Sequence, residues 1–194
     1  RAQLVGTRTA EKNRLKEMKS VGADAYVIKD IEQFLRQISK RIEKTEEAAL
    51  RLVRADKQLN HWRLMLKSMP GIGDILAIVI TAELVHLPED ISGRQLTAFA
   101  GMDPMPKQSG MANGRAVISR RGNKRLRTAL YLAAMTGCKN PHVGAWKKQQ
   151  VARGKAPKLV NIAIARRYLH VIAHLRTTNS LWDGNSFHPL QTAS

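Results

Sequence analysis

One pattern of mostly apolar residues constrains the fold of this chain more than any other feature. It recurs at alternating intervals of three and four residues, which is the a/d spacing of a coiled-coil helix. Its members are Ile28, Ile31, Leu35, Ile38, Ile42, Thr45, Ala49 and Leu52. The same phase continues weakly through Leu59 and Leu66. We therefore predict one coiled-coil helix over residues 26–69, roughly 60 Å long at about 1.5 Å per residue.

We call this line of a/d residues the seam. A seam of this length needs a partner helix, which could come from another copy of the chain or from elsewhere in the same chain. No second heptad run of that length is present, so we favour self-association as a homo-oligomer. Residues 1–25 are highly charged and are predicted to be a helical linker from a missing N-terminal domain. The chain starts at Arg1 rather than at a methionine, so we expect a fragment of a longer protein.

The residues after the seam predict a compact helical domain over 70–178, and the fold class is all-α. Pro70 ends the seam helix, and Gly71-Ile72-Gly73 turns into a helix that is apolar on nearly every side. Residues 101–118 are rich in Gly, Pro, Ser and Asn without an apolar period, so we expect a long loop there. Residues 179–194 are expected to form an irregular tail. Further helices are predicted at about 93–100, 123–136, 141–153 and 157–176.

Charge is distributed very unevenly along the chain. Residues 104–182 contain 16 Lys and Arg and no Asp or Glu, whereas the remainder carries 17 basic and 15 acidic residues. The net charge of +18 is thus concentrated in one half. Such a polycation favours DNA or RNA as the partner, because Lys and Arg that neutralise phosphates release condensed counterions.

Membrane and metal partners fit the sequence less well. The longest apolar run, residues 75–82, is far too short to cross a bilayer, and no signal peptide is visible. A single cysteine, Cys138, cannot form an internal disulfide, which fits a reducing compartment. His170 and His174 have the i, i+4 spacing of metal ligands but lack an evident third ligand. We therefore expect neither a metal site nor a membrane contact in this chain.

Two stretches have the composition of phosphate-binding sites. The Gly71-Ile72-Gly73 turn resembles a helix-hairpin-helix element, in which glycines let a phosphate approach the backbone. A purely structural turn is the alternative. The second stretch is an acid-free basic cluster around Asn123, and such clusters are normally held against phosphates. Its members are Arg115, Arg120, Arg121, Lys124, Arg125 and Arg127.

Several motifs occur together in an order typical of one family. They are MPGIG at 69–73, LTAFAGMDP at 96–104, KQSG at 107–110, ISRRGNKRLR at 118–127, LYLAA at 130–134 and RGK at 153–155. Over residues 69–176 the chain resembles the C-terminal transposase domain of insertion-sequence recombinases related to the Piv DNA invertase. The preceding seam resembles the coiled coil of the same proteins.

The resemblance implies a DNA recombinase that cleaves and exchanges strands. It makes Ser109 the nucleophile that attacks DNA and forms a phosphoserine link. Lys107, Arg153 and Lys155 lie in the same motifs and complete the candidate nucleic-acid-binding residues. Family members also carry an N-terminal RuvC-like domain with four acidic residues that bind divalent metal, and some use a structured guide RNA. We expect Mg²⁺ in that domain rather than in this chain, which shows no comparable acidic cluster.

Two functions remain open from the sequence. The first is the C-terminal part of a transposase or site-specific recombinase, active in the full-length protein but inactive as this fragment. The alternative is a non-catalytic module for nucleic-acid binding and oligomerisation. Both interpretations predict DNA as the partner, with a guide RNA as a further candidate, and both predict a cytoplasmic, nucleoid-associated protein of bacteria or archaea. They differ on Ser109.

Overall fold

The computed structural model describes residues 1–109 and 112–187, with the backbone alone for 106–109, 112–117, 185 and 186. The chain divides into two compact units, Arg1–Ala55 and Asp56–Ser194. The described residues form eight α-helices, a short 3-10 helix and a two-stranded ribbon. The all-α fold class is therefore confirmed. No helix among the described residues combines the length and apolarity needed to cross a membrane.

The first unit is a hairpin of two helices, α1 (Ala2–Ser20) and α2 (Ala25–Ala55). The helices run antiparallel, because Lys19 pairs with Glu32 at 2.7 Å and Arg1 pairs with Glu46. The seam positions buried on α2 are Ile31, Ile38 and Ile42, each only 3% exposed. The segment predicted as a linker is thus a helix that packs along the seam and supplies at least part of its partner.

The long helix predicted from the seam is interrupted at Asp56. A new helix, α3 (Lys57–Ser68), begins there, and the Asp56 carboxylate caps it by accepting a hydrogen bond from Leu59 N at 2.9 Å. Asp56 falls in a seam position, where an acid cannot be buried without cost, and Asp is a preferred N-cap residue. The helix therefore ends where the heptad pattern weakens, and α3 joins the second unit.

Six helices of the second unit surround a single apolar core. After α3 come α4 (Asp74–Leu84), α5 (Gly93–Phe99), α6 (Lys124–Gly137), α7 (Pro141–Ala152) and α8 (Pro157–Thr178). Helix α8 lies at the centre, since it packs against α3, α5, α6 and α7. Asn123 and Asn140 cap the N-terminal ends of α6 and α7 by accepting hydrogen bonds from Leu126 N and His142 N.

Residues 101–118 contain an antiparallel ribbon rather than the predicted loop. Strand β1 (Pro104–Ser109) pairs with β2 (Ala112–Ile118), from Pro104 opposite Ile118 to Ser109 opposite Ala112. The register shifts between Met105 and Lys107, at a proline that has no N–H to donate to the ladder. A ribbon of two strands needs no alternation of apolar and polar residues. The search for an apolar period in the sequence therefore did not predict these strands.

The tail after α8 also differs from the prediction. A 3-10 turn forms at Gly184–Phe187, and the Phe187 side chain is 2% exposed within the core of the second unit. Its ring packs edge-on against Trp146 and Tyr168. The rest of the predicted irregular tail, 188–194, lies outside the described residues.

The packing of α5 on α8 makes stability depend on pH. Gly93 lies so close to His170 that a Cβ atom would come 2.5 Å from the imidazole Nδ1. Burial, and then the charge of Arg166, lower the pKa of His170 below 6.5. The unfolded chain therefore takes up a proton below about pH 6.5 that the folded chain resists, so stability is present above that pH and falls as the pH drops.

Replacing His170 should make the stability less sensitive to acid. Between pH 7.5 and pH 5.5, the free energy of unfolding by urea should fall less in His170→Asn than in the unmutated chain. An identical fall in both would contradict this prediction.

Candidate nucleic-acid interface

The glycine turn joins α3 to α4 and packs against the C-terminal end of α6. Gly71 is left-handed, with a φ of +81°, and a Cβ atom there would lie 2.5 Å from the Gly137 nitrogen. Thr136 Oγ1 donates to the Gly71 carbonyl at 3.1 Å, and Tyr168 donates its hydroxyl to the Pro70 carbonyl at 2.8 Å. Gly71 is therefore required by packing and by its backbone conformation.

Gly73 has a different environment from Gly71. It is exposed, a Cβ atom would meet nothing within 4 Å, and it is the N-cap of α4. Asp74, the predicted cap, is instead the first helical residue. Its carboxylate accepts hydrogen bonds from Lys67, at 2.9 Å, and from Arg63. The bond from Lys67 lowers the pKa of Asp74 most, burial opposes this, and Arg63 adds to the lowering. A phosphate at this turn would thus share the positive end of α4 with a carboxylate.

The segment between β2 and α6, residues 119–123, is called the basic loop here. It carries Arg120 and Arg121, and it is attached by its backbone to the segment that follows α5. Three N–H groups donate at 3.0, 3.0 and 2.8 Å, from Ser119 to Asp103 O, from Arg120 to Gly101 O and from Asn123 to Phe99 O. The loop also approaches α5 so closely at Gly122 that a Cβ atom would lie 2.6 Å from Gly101 N. Its arginines therefore project from a fixed backbone.

The predicted basic cluster divides by what its side chains already contact. Arg120, Arg121 and Lys124 are exposed and form no ion pair within the described part of the chain. Arg127 donates to the Ala100 carbonyl at 2.7 Å and so closes the end of α5. Arg125 lies 3.6 Å from Glu83 with its side chain 78% exposed, which is a weak surface pair. The cluster thus offers exposed cations at the N-terminal end of α6.

Arg153 and Lys155 occupy a second exposed turn, between α7 and α8. Arg153 follows α7, Gly154 has a φ of +82°, and Lys155 donates to Gln150 Oε1 at 2.7 Å. Elsewhere in the acid-free span, Arg167 and Arg176 pack over aromatic rings of Trp146 and Trp62. Not every cation of the span is therefore available to a polyanion.

Ser109 ends β1, at the far end of the ribbon from the basic loop. The ribbon begins at Pro104 and Ile118, beside Asp103 and Ser119, and Ser109 lies five residues along β1. At about 3.4 Å per residue, this places its backbone roughly 17 Å from the ribbon's base. The side chains of Ser109, Lys107 and Arg115 lie outside the described residues, so their predicted roles stay predictions.

The structure places the glycine turn and the basic loop at opposite ends of α6. The turn contacts the last residues of α6, whereas the basic loop leads into its first residue. The 14-residue helix separates the two by roughly 20 Å at 1.5 Å per residue. One phosphate cannot contact both.

Two acidic residues that the sequence reasoning did not single out organise this region. Glu83 accepts a hydrogen bond from Asn123 Nδ2 at 2.6 Å and so holds the cap of α6. Asp103 accepts a hydrogen bond from the Ser119 hydroxyl at 2.6 Å and so closes the base of the ribbon. Both acids lie outside the 104–182 span and far along the chain from their partners, and only the fold brings them together.

Comparisons with known proteins show what this chain is similar to. Residues 64–148 match the transposase family described as IS116/IS110/IS902. The pilin gene-inverting protein of Moraxella bovis is 27% identical over 149 residues, 75% of this chain and 46% of that protein. An IS900 42 kDa protein of Mycobacterium paratuberculosis is 32% identical over 133 residues, 67% of this chain and 32% of that protein. An IS116 44.8 kDa protein of Streptomyces clavuligerus is 30% identical over 116 residues, 58% of this chain and 27% of that protein.

These matches show that the chain is similar to transposases of insertion sequences. More particularly, it is related to the IS116/IS110/IS902 transposases and to the pilin gene-inverting protein, which confirms the resemblance seen in the motifs. The chain spans less than half the length of these three relatives.

The two glycines of the turn should respond differently to substitution. Gly71→Ala should destabilise the second unit by more than about 1–2 kcal/mol, because left-handed strain adds to the clash with α6. Gly73→Ala should keep its helicity, because the added methyl meets nothing. If the turn holds a phosphate, Gly73→Ala weakens binding to all DNA sequences equally. Circular dichroism and anisotropy titrations measure the two effects; unchanged binding by Gly73→Ala would make the turn purely structural.

Proposed function

We propose that this chain is the DNA-holding, nucleophile-bearing part of an insertion-sequence recombinase. One observation carries the proposal: the basic loop, with exposed arginines on a fixed backbone, is joined through β2 to the ribbon that bears Ser109. DNA phosphates bound at Arg120, Arg121 and Lys124 would lie beside the base of that ribbon. A guide RNA has the same backbone chemistry and could bind the same cations.

Ser109 suits the role of nucleophile because of its place at the end of the ribbon. A serine that attacks a phosphodiester must reach the phosphorus from outside the duplex, and a narrow two-stranded ribbon can extend toward it. Its Oγ would bond to phosphorus, while the displaced deoxyribose oxygen leaves with the broken strand. Arg120 and Arg121 lie at the base of the ribbon, roughly 17 Å from Ser109, so they would hold neighbouring phosphates of the strand rather than the one that is attacked.

The residues that the structure describes do not by themselves fit a Mg²⁺ site. In the described ranges, no three His, Cys, Asp or Glu side chains come together. We assign no step to a metal in this chain, and Mg²⁺ in a RuvC-like domain stays an expectation. Accordingly we propose that the chain alone binds DNA without cutting it.

Self-association through the first unit also stays a proposal. Helix α1 covers part of the seam, yet Phe34 and Leu52 on α2 remain 43% and 74% exposed. Apolar side chains of this size are suited to a further helix from a second copy.

Removing the exposed arginines should lower both the affinity for DNA and its dependence on salt. Arg120→Asn with Arg121→Ala should reduce the slope of log K against log[salt] by about 1.8, at 0.9 per lost phosphate contact. Asn is chosen because Arg120 has a φ of +55°, a conformation that Asn tolerates. Anisotropy of a labelled duplex between 50 and 200 mM salt measures the slope.

The matched control for this pair is Arg51→Ala with Arg54→Ala, which removes two exposed cations from α2. It should leave the slope nearly unchanged. A similar fall in both pairs would mean that binding follows net charge rather than the basic loop.

Replacing Ser109 should separate DNA cleavage from DNA binding. In the full-length protein, Ser109→Ala should abolish the covalent protein–DNA adduct and leave affinity within about twofold, because one hydroxyl contributes little to phosphate binding. Denaturing gels detect the adduct. Ser20→Ala, an exposed change at the end of α1, is the control and should still form adduct. An adduct that persists in Ser109→Ala would show that another residue is the nucleophile and would favour the non-catalytic alternative for this chain.

A further inference from the structure

A cavity beside α7 is not used by the proposed function. It has a volume of about 880 Å³ and lies between α7, α8 and the 3-10 turn. This size is within the range of small-molecule sites, about 300–1,000 Å³. Its lining combines aromatic rings, amides and guanidinium groups and contains no Asp or Glu. We call it the α7 cavity.

One wall of the α7 cavity is a fixed stack of aromatic rings and a cation. The Arg167 guanidinium carbon lies 4.5 Å from the centroid of Trp146 and 5.2 Å from that of Phe187. Arg167 also donates to the Phe187 carbonyl at 3.0 Å, and the two rings meet edge-on at 5.8 Å. The wall thus places a cation beside two aromatic rings set at right angles, a combination that suits a planar, electron-rich ligand.

A buried amide provides a hydrogen-bond donor at the same cavity. Gln150 is only 5% exposed, and its Oε1 accepts a hydrogen bond from Lys155 Nζ at 2.7 Å. Because an ammonium group can only donate, this contact fixes which end of the amide is oxygen. The other end, Nε2, has no acceptor among the described residues. Nε2 can therefore donate a hydrogen bond to a ligand in the cavity.

The rim of the cavity favours an anion. Arg153 lines it and is exposed, and it lies in the 104–182 span without acidic residues. The cavity therefore suits a ligand with a planar ring, hydrogen-bond acceptors and an attached phosphate. A nucleotide has all three features. A base inside a duplex is stacked on both faces, so only an unpaired base could enter a cavity of this kind.

We propose that the α7 cavity holds one unpaired nucleobase of a bound DNA or RNA strand. The base packs against Trp146, accepts a hydrogen bond from Gln150, and has its phosphate near Arg153. This inference rests on the proposed function, since it requires the chain to bind nucleic acid. Because only an unpaired base can enter the cavity, the chain should bind strand ends, bulges or loops more tightly than continuous duplex.

The test compares binding of the chain to four labelled probes at one salt concentration. These are a blunt duplex, the same duplex with one unpaired DNA nucleotide, the same with one unpaired RNA nucleotide, and the same with an abasic nucleotide. The probe with a base should bind about tenfold tighter than the abasic probe, which carries the same phosphate. The DNA and RNA arms show which strand the cavity prefers.

A variant then locates the preference. Gln150→Glu keeps the shape and the contact with Lys155 but replaces the donor by an acceptor, so the tenfold preference should disappear. Gln33→Glu, an exposed change on α2, controls for the added charge and should keep the preference. Circular dichroism verifies that both fold. Independently of any variant, an unpaired 2-aminopurine should lose several-fold of its emission when it stacks on the indole.

Each outcome decides one of the two proposals. Equal binding of base and abasic probes, with blunt duplex still bound, overturns the nucleobase site and leaves the proposed function intact. A preference that survives in Gln150→Glu, or unchanged 2-aminopurine emission, places the base elsewhere and overturns it as well. Failure to bind any probe overturns the proposed function, and the nucleobase site with it.

Discussion

Backbone hydrogen bonds between residues 99–103 and 119–123 hold together the basic loop and the base of the ribbon. These bonds join the end of α5 to the basic loop and, through the Asp103–Ser119 contact, close the base of the ribbon. Because they are made by main-chain atoms, they fix positions without using up the arginine side chains. The exposed cations and the ribbon therefore have a common, rigid origin on the helical core.

The helical core is built so that α6 connects two functional ends. Its N-terminal end is capped by Asn123, which Glu83 of α4 holds, and its C-terminal end packs on Gly71. Tyr168 of α8, fully buried, donates to Pro70 and ties the glycine turn to the centre of the core. A disturbance at either end of α6 is thus transmitted through packing rather than through a flexible connection.

Much of the helical framework could be predicted from the sequence, because its signals are local. The helices predicted at 93–100, 123–136, 141–153 and 157–176 match α5, α6, α7 and α8 to within a few residues. The break at Asp56 was missed because the heptad pattern outweighed one cap residue. The ribbon was missed because pairing between β1 and β2 is not encoded in an apolar period. The acidic partners of the basic region, Glu83 and Asp103, could not be found without knowing which distant residues the fold brings together.

The ribbon has a mechanical consequence. It is a lever, with its pivot at the Asp103–Ser119 contact and Ser109 near its free end. On an arm of roughly 17 Å, a rotation of about 10° at the pivot moves the tip by about 3 Å, the distance that separates a positioned nucleophile from one out of reach. A small angular change at the base would therefore displace Ser109 by a distance that matters for its proposed attack on phosphorus. A pivot secured by both backbone and side-chain hydrogen bonds limits the ribbon to few orientations.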